Sequence, residues 1–227
     1  KRPDAALILP DASARMTVLD FDHFPSDEKE CLQLIRFRLK KTVPFDVQNA
    51  LVAYQAWKVK SRFSVLVATT PVEIIDQYEQ ALKSVGLQPG YVVLSTVAAL
   101  NLMSVSEMSL FVKFSGDSLT IVAFDMQAVR MVRSVELAPG IEQGIVDNPE
   151  PVLDAMITDL YPTFVFIADN LQHPVRKLIL SGFDGLIEDA LARFPEEFNC
   201  EVEPLRFTTG VVGAPHDVGI QGFLSQN

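Results

Sequence analysis

The pattern of apolar and polar positions in the first half of the chain switches repeatedly between a period of two and a helical period. Apolar runs rich in β-branched residues and bounded by turn residues predict strands over 5–9, 15–21, 50–57, 62–70 and 91–95. Helical spacing of apolar residues predicts helices over 27–42, 71–85 and 96–103. This alternation predicts a mixed α/β fold.

Residues at the ends of two predicted helices support these assignments. Asp27 is placed to cap the first helix, and Pro44 disfavours the helical conformation in the residue before it. Pro71 begins the second helix and Gly86 closes it, which is the usual order of these residues in helices. The KVKS segment over 58–61 predicts a hairpin loop.

The second half of the chain begins with a predicted antiparallel meander. Its strands are expected over 108–114, 118–124 and 128–137, joined by the turn signals SGD and DMQ. An irregular connector follows over 138–150. The remaining predicted elements are a helix over 151–170, a strand over 177–182, a helix over 184–194 and a strand over 201–205.

Composition and charge limit the classes of function. The 227 residues are 48% hydrophobic and 21% charged, as in globular proteins with a large core. No apolar run reaches the ~18–20 residues that cross a membrane, so no transmembrane segment is expected. Residues 1–114 carry 13 basic and 12 acidic side chains, and residues 115–227 carry 6 and 17, giving net charges of +1 and −11. The acidic half repels phosphate, so no nucleic-acid partner is expected. The change in charge between the halves also predicts a lobe boundary near 104–110.

Motifs of the common catalytic classes are missing from the sequence. It contains no G-x-x-x-x-G-K-[ST] or G-x-G-x-x-G phosphate loop and no G-x-S-x-G nucleophile elbow. The three histidines are isolated, and Cys31 and Cys200 lie far apart, so neither a zinc site nor a disulfide is expected. Asp20 and Asp22 are either a metal or acid/base pair or, as we favour, a solvated strand end.

The segment RFRLKKTVPFD over 36–46 is strongly basic. Acidic residues occupy the first turn of the predicted helix 27–42 and basic residues its last turn, an order that complements the helix dipole. Nucleic-acid binding would need interleaved aromatic residues or a second basic strip. The dipole does not explain Pro44-Phe45 or the position of Phe37 between two arginines, so a docking role is also considered.

The same segment begins a resemblance to a known family. LIRFRLKKTVPFD, ALVAYQAW and VLVATTPVEIIDQYEQALKSVGLQPGYVVLSTVAALNL, in this order, resemble PilM, the actin-like cytoplasmic protein of the type IV pilus inner-membrane platform. Downstream, VRMVRSVEL resembles the family's Arg-Ser/Thr strand, ILSGFDGL its Ser-Gly-Gly turn and VGIQGFL its closing helix. The family's opening Asp-Ile-Gly loop and part of its second lobe have no counterpart. The sequence therefore resembles a PilM truncated at the N-terminus with a reduced second lobe.

The resemblance implies a two-lobed actin-like (ribonuclease H-like) α/β fold with an inserted small α/β subdomain. The strands over 50–57, 62–70 and 91–95 are expected to form one three-stranded sheet in that subdomain. The implied organisation is a remnant of the first-lobe sheet over 1–25, the inserted subdomain over 26–94, a first-lobe helix and linker over 95–107, and the reduced second lobe over 108–227.

The resemblance also implies a function, a non-catalytic cytoplasmic scaffold peripheral to the bacterial inner membrane. Its implied partner is the N-terminal tail of a PilN-like membrane protein, bound between the first lobe and the inserted subdomain. Other pilus platform proteins and motor ATPases are further partners to consider. The predicted partner-binding residues are Arg15, Arg36, Arg38, Lys41 and Phe45.

Alternative functions remain open. They are a GspL-like adaptor of type II secretion and an actin-like ATP-binding protein. An FtsA-like protein is disfavoured, because residues 214–227 contain no Lys or Arg and are too few for an amphipathic membrane helix.

Actin-like proteins hold a nucleotide between loops of the two lobes, and the resemblance implies that this site is degenerate here. Lys113 stands where the family has Asp, and a cation cannot replace a carboxylate beside Mg²⁺. Phe183 replaces the second glycine of the adenine turn, and its ring is expected to fill the space of the base. No cofactor and no ATPase activity are therefore expected, unless the missing N-terminal loop is present to hold ATP and Mg²⁺. The residues that remain of the nucleotide site are Ser115, Gly116, Ser118 and Gly182. For the segment SGDS (115–118), a plain hairpin turn is the alternative interpretation.

Overall fold

The computed structural model describes residues 5–142, 148–171, 173–206 and 218–225. All the strands and helices predicted from periodicity are present, with their ends shifted by a few residues. The strands are β1 (Ala5–Leu9), β2 (Arg15–Phe21), β3 (Ala50–Val59), β4 (Arg62–Pro71), β5 (Pro89–Leu94), β6 (Ser109–Ser115), β7 (Ser118–Phe124), β8 (Val129–Glu136), β9 (Lys177–Ser181) and β10 (Glu201–Pro204). The α-helices are α1 (Glu28–Leu39), α2 (Val72–Ser84), α3 (Ser95–Ala99), α4 (Pro149–Leu171), α5 (Ile187–Phe198) and α6 (Val218–Leu224).

The strands of the described residues form three sheets. β1 and β5 form a parallel pair, β2, β4 and β3 form an antiparallel sheet in that order, and the third sheet has the order β10-β9-β6-β7-β8. The predicted meander is confirmed by the antiparallel β6, β7 and β8. The predicted three-stranded sheet is wrong in one member, because β2 pairs with β4 while β5 pairs with β1. The domain boundaries stay a prediction, although a boundary at residue 25 separates β2 from its own sheet.

Local sequence signals explain the helix ends in the first half. The Asp27 carboxylate accepts hydrogen bonds from the N–H groups of Lys29 and Glu30, so it caps α1 as predicted. α1 ends at Leu39, three residues earlier than predicted. After α2, Gly86 adopts a positive φ of 82°, which glycine allows at low cost, and its N–H bonds to the carbonyl oxygen of Lys83.

Hydrophobic residues form one core on each face of the five-stranded sheet. On one face, α4 and α5 cover apolar side chains such as Leu110, Ile121 and Leu180. On the opposite face, Phe111 and Val122 pack with residues from β4, α3 and α6. This second core crosses the lobe boundary predicted near 104–110, so the two halves of the chain are packed against each other.

α4 has two properties that bear on the membrane. By length and composition it is apolar enough to cross a membrane, with 33% of its most apolar window buried. Its buried face nevertheless belongs to the core of the five-stranded sheet and includes Leu153, Met156 and Leu160. We interpret α4 as a core helix, and the absence of a transmembrane segment stays a prediction.

Candidate binding groove and nucleotide cleft

A groove of about 590 Å³ lies between the antiparallel β2-β4-β3 sheet and the five-stranded sheet. β2 and β8, which lie side by side, are edge strands of these two sheets. One wall consists of the turn before β2, the start of β2 and the end of β4. The opposite wall is the C-terminal part of β8, residues 132–136. The loop over 42–45 after α1 forms the rim. We call this cavity the groove.

Two of the predicted partner-binding residues line the groove. Arg15 is exposed at the start of β2, and within the described part of the chain its guanidinium has neither a hydrogen-bond nor an ion-pair partner. Phe45 is half-buried in the rim beside Pro44. The sequence therefore located a cation and an aromatic ring at this cavity.

Arg36 has a different position from the one expected. Its guanidinium donates to the carbonyl oxygens of Gln48 at 3.2 Å and Ala50 at 3.1 Å, and also to that of Val47. It thus holds the loop between α1 and β3 and does not line the groove. All three bonds come from one terminal nitrogen, Nη1, so the other guanidinium N–H groups are not engaged by these carbonyls. A direct partner contact of Arg36 stays a prediction.

Arg38 and Lys41 are also outside the groove lining. Arg38 is exposed and its guanidinium carbon lies 5.3 Å from the centroid of the Phe21 ring, a cation–π distance. Lys41 is exposed on the loop that precedes the rim. Partner contacts for these two residues stay a prediction.

Sequence reasoning missed the β8 wall of the groove. Arg133 lies in this wall, where its guanidinium donates to the Thr163 hydroxyl of α4 at 3.2 Å. Asp117 and Glu136 add two carboxylates at the same end. Arg133 belongs to the segment VRMVRSVEL that carried the resemblance, but Arg130, Ser134 and Glu136 make the same strand polar elsewhere, so the sequence did not single out Arg133.

A smaller cavity of about 270 Å³ lies on the other side of the turn between β1 and β2. We call it the cleft. Of the residues predicted to remain from a nucleotide site, Ser115 and Gly182 line it. Ser118 lines the groove instead, with its hydroxyl donating to the Ser115 carbonyl at 3.1 Å. Gly116 lies in the hairpin turn between β6 and β7 with a φ of 61°, so a turn requirement explains this glycine.

Lys113 projects from β6 into the wall of the cleft. Its ammonium lies 2.8 Å from the Asp11 carboxylate, and each side chain is only 7% exposed. The same ammonium donates to the Ser95 hydroxyl at 2.8 Å. The charge of the lysine is therefore neutralised within the protein, and its donors face fixed acceptors.

The expected role of Phe183 is wrong. Its side chain is 2% exposed and packs edge-on against the rings of Phe114 and Phe194, with centroids 6.0 Å and 6.1 Å away. The ring belongs to the hydrophobic core beneath α5, not to the lining of the cleft. An apolar ring gains more by burial in this core than by exposure in an open cavity.

Other candidate chemistry finds no support among the described residues. No group of three or more His, Cys, Asp or Glu side chains is arranged there to hold a metal ion. Asp22 forms an exposed ion pair with Arg62, consistent with a solvated strand end. Cys31 and Cys200 are both free, as expected.

Comparison with known proteins supports the predicted fold. The chain is similar to PilM in the structure of a PilM–PilN type IV pilus biogenesis complex, with a TM-score of 0.72 and 16% identity, over 94% of this chain and 76% of that chain. It is also similar to the cytoplasmic domain of EpsL, an inner-membrane component of the type II secretion system of Vibrio cholerae, with a TM-score of 0.55 and 13% identity, over 98% and 74% of the two chains. No protein-family model and no curated protein sequence matches the chain.

These similarities define the class of protein that the fold represents. The chain has the two-lobed actin-like α/β fold, as predicted. At these identities the likeness concerns the fold. Function must be argued from the groove and the cleft.

Proposed function

We propose that this protein is a non-catalytic scaffold of a type IV pilus platform on the cytoplasmic side of the inner membrane, where it binds the tail of a PilN-like membrane protein in the groove. The observation that carries this proposal is the open groove with Arg15, which has no hydrogen-bond or ion-pair partner among the described residues, in a chain that has the fold of a PilM solved with PilN.

The groove has the properties that recognition of an extended peptide requires. β2 and β8 are edge strands, and an edge strand offers main-chain donors and acceptors to an added chain. Arg15 supplies a cation that no described residue pairs, and Phe45 supplies apolar surface at the rim. Main-chain bonds provide affinity in this mode, while side-chain pockets select the sequence.

The non-catalytic part of the proposal rests on the cleft. Productive binding of Mg-ATP needs carboxylates for the metal and free backbone N–H groups for the phosphates. Here a lysine, Lys113, stands in the cleft wall where a metal would need a carboxylate, and the nearby Asp11 carboxylate already accepts hydrogen bonds from Lys113 and Thr96. We expect isothermal titration calorimetry to detect no binding of Mg-ATP at micromolar concentrations. Micromolar affinity would favour the alternative of an actin-like ATP-binding protein.

A second candidate function is an adaptor of type II secretion. The likeness to the cytoplasmic domain of EpsL over 98% of this chain favours it. The two candidates differ in the machine to which the protein belongs, and only the first requires that the chain bind a PilN-like tail.

The deciding experiment compares two arginines with the same chemistry. Arg15→Glu reverses a charge inside the groove, and Arg62→Glu reverses an exposed charge outside it, at a residue that is not among the predicted partner-binding residues. Affinity is measured by fluorescence anisotropy with a labelled N-terminal tail peptide of the PilN-like protein from the same genome. We expect Arg15→Glu to lower affinity at least tenfold, or about 1.4 kcal/mol, and Arg62→Glu to change it less than twofold.

Other results would change the assignment. An equal loss of affinity in both variants would indicate a general charge effect and reject the groove as the specific site. Absence of binding to the PilN-like tail would reject the proposal and leave the type II secretion adaptor as the candidate.

A further inference from the structure

The turn Asp11–Ser13 between β1 and β2 forms part of the groove wall and is fixed from several directions. One carboxylate oxygen of Asp11 accepts the N–H of Thr96 at 2.9 Å, and the other accepts its hydroxyl at 2.6 Å. These bonds connect the turn to the first residues of α3.

The next residues of the turn are held by other elements. The Thr70 hydroxyl at the end of β4 donates to the Ser13 carbonyl at 2.6 Å, and the Ser13 hydroxyl lies 3.4 Å from that of Tyr78 in α2. All of these contacts stay within the first half of the chain. None of them links the turn to the five-stranded sheet, which carries the opposite wall of the groove.

Lys113 supplies that link. Its ammonium bonds at 2.8 Å to the Asp11 carboxylate, and it belongs to β6, the central strand of the five-stranded sheet. Both charged groups are almost completely buried. A buried ion pair is strongly dependent on its geometry, because loss of one partner leaves the other charge desolvated and unpaired.

The ion pair also separates the two cavities. Asp11 lines the groove, while Lys113 lines the cleft. Arg15 follows the Asp11–Ser13 turn by only two residues, so movement of the turn would displace the guanidinium on which the proposed peptide site depends.

We propose that Lys113 and Asp11 are positioning residues for the groove, which they hold in its binding shape by fixing the β1–β2 turn to the five-stranded sheet. The part of this inference that concerns peptide binding rests on the proposed function. The part that concerns the fixing of the turn does not. Lys113, which is incompatible with Mg²⁺ in the cleft, thus has a structural role in the groove.

The test measures hydrogen exchange and peptide affinity on the same variants. Lys113→Met keeps the length of the side chain and removes its charge. We expect amides over 10–17 to exchange at least tenfold faster in the unliganded variant, and the affinity for the PilN-like tail peptide to fall at least tenfold. The double variant Asp11→Asn/Lys113→Met has no buried unpaired charge, so we expect it to regain thermal stability but to keep the fast exchange over 10–17.

A matched control separates positioning from general destabilisation. Met156→Ala removes a fully buried side chain from the core under α4, on the face of the five-stranded sheet opposite the first half. We expect a lower melting temperature with unchanged exchange over 10–17 and unchanged affinity. If Lys113→Met does not fold, the double variant provides the same two measurements.

Two outcomes overturn the inference. One is unchanged amide exchange over 10–17 in the folded variants that lack the lysine. The other is an increase in exchange over 10–17 in Met156→Ala equal to that in Lys113→Met. Failure of the wild-type protein to bind the peptide would reject the proposed function, whereas the exchange data would still decide whether the ion pair fixes the turn. The two failures are therefore distinguishable.

Discussion

The groove and the cleft lie on opposite sides of one ion pair, yet they use their polar groups in opposite ways. In the groove, the exposed Arg15 has no partner within the described residues, and two strand edges are nearby. In the cleft, the Lys113 ammonium is bonded to Asp11 and Ser95. The comparison teaches that a binding site needs, besides a cavity, donors or charges that the fold has left available to a ligand.

The first prediction concerns the packing that closes the cleft side. A Cβ atom at Gly222 of α6 would lie 2.1 Å from the carbonyl oxygen of Ala98 in α3. This contact is with the backbone, so only a backbone shift could relieve it. We expect Gly222→Ala to lower the free energy of unfolding by about 3 kcal/mol, since overpacking forces backbone shifts. Chemical denaturation measures this change.

A glycine in the hairpin between β6 and β7 gives the matched control. A Cβ at Gly116 meets nothing within 4 Å, and only its φ of +61° opposes a side chain. We expect Gly116→Ala to cost about 1 kcal/mol. Equal losses in the two variants would contradict the close approach of α6 to α3.

The second prediction concerns the loop that carries the groove rim. Arg36→Met removes the donors that hold three backbone carbonyls between α1 and β3. We expect a loss of about 2 kcal/mol in the free energy of unfolding, because hydrogen bonds to a charged donor are lost. Arg38→Met, measured in the same way, is expected to cost less than about 0.5 kcal/mol as an exposed substitution. Similar small losses in both variants would contradict the role of Arg36 in holding this loop.

The third prediction ranks the two cations of the groove. The Arg133 guanidinium already donates to Thr163, so it has fewer donors available for a peptide than Arg15 has. We expect Arg133→Gln to lower the affinity for the tail peptide about threefold, or about 0.6 kcal/mol, which is less than the effect of Arg15→Glu. Fluorescence anisotropy with the same peptide provides the measurement. A larger effect at Arg133 would move the centre of the site to β8.

The smallest expected effect is a pH dependence at the turn that begins β8. Burial raises the pKa of the Asp125 carboxyl, but hydrogen bonds from Arg130, Gln127 and Ala128 outweigh burial and hold this pKa below its ordinary value of 3.8. A carboxyl with a lowered pKa stabilises the fold above the unfolded-state pKa, and this contribution is lost as the pH falls through the folded-state pKa.

Thermal unfolding as a function of pH tests this sign. We expect the wild-type protein to lose more stability below about pH 4 than Asp125→Asn, which has no carboxyl to protonate. Asp22→Asn, at the exposed pair with Arg62, is expected to behave like the wild type because an exposed ion pair contributes little. Parallel pH profiles for wild type and Asp125→Asn would contradict the prediction.

Local signals were the reliable part of the sequence. Asp27 and Gly86 act on residues within a few positions of themselves, so the start of α1 and the end of α2 followed from the sequence, whereas Pro44 placed the end of α1 three residues too late. The exchange of β2 for β5 in the three-stranded sheet was not predictable in this way. Pairing depends on contacts between residues far apart in the chain, and several apolar strands fit equally well by periodicity.

The candidate site divides along the same line. The sequence by itself determined that residues 36–46 are basic and end in Pro44-Phe45, that Lys113 is a cation in place of an acid, and that an actin-like fold was to be expected. Only the tertiary structure decided that Arg36 is bonded to its own loop, that Phe183 lies in the core and that Lys113 meets Asp11. The physical reason is that a charge or a ring acquires its role from the partner it finds across the fold, and burial makes the choice of partner energetically decisive.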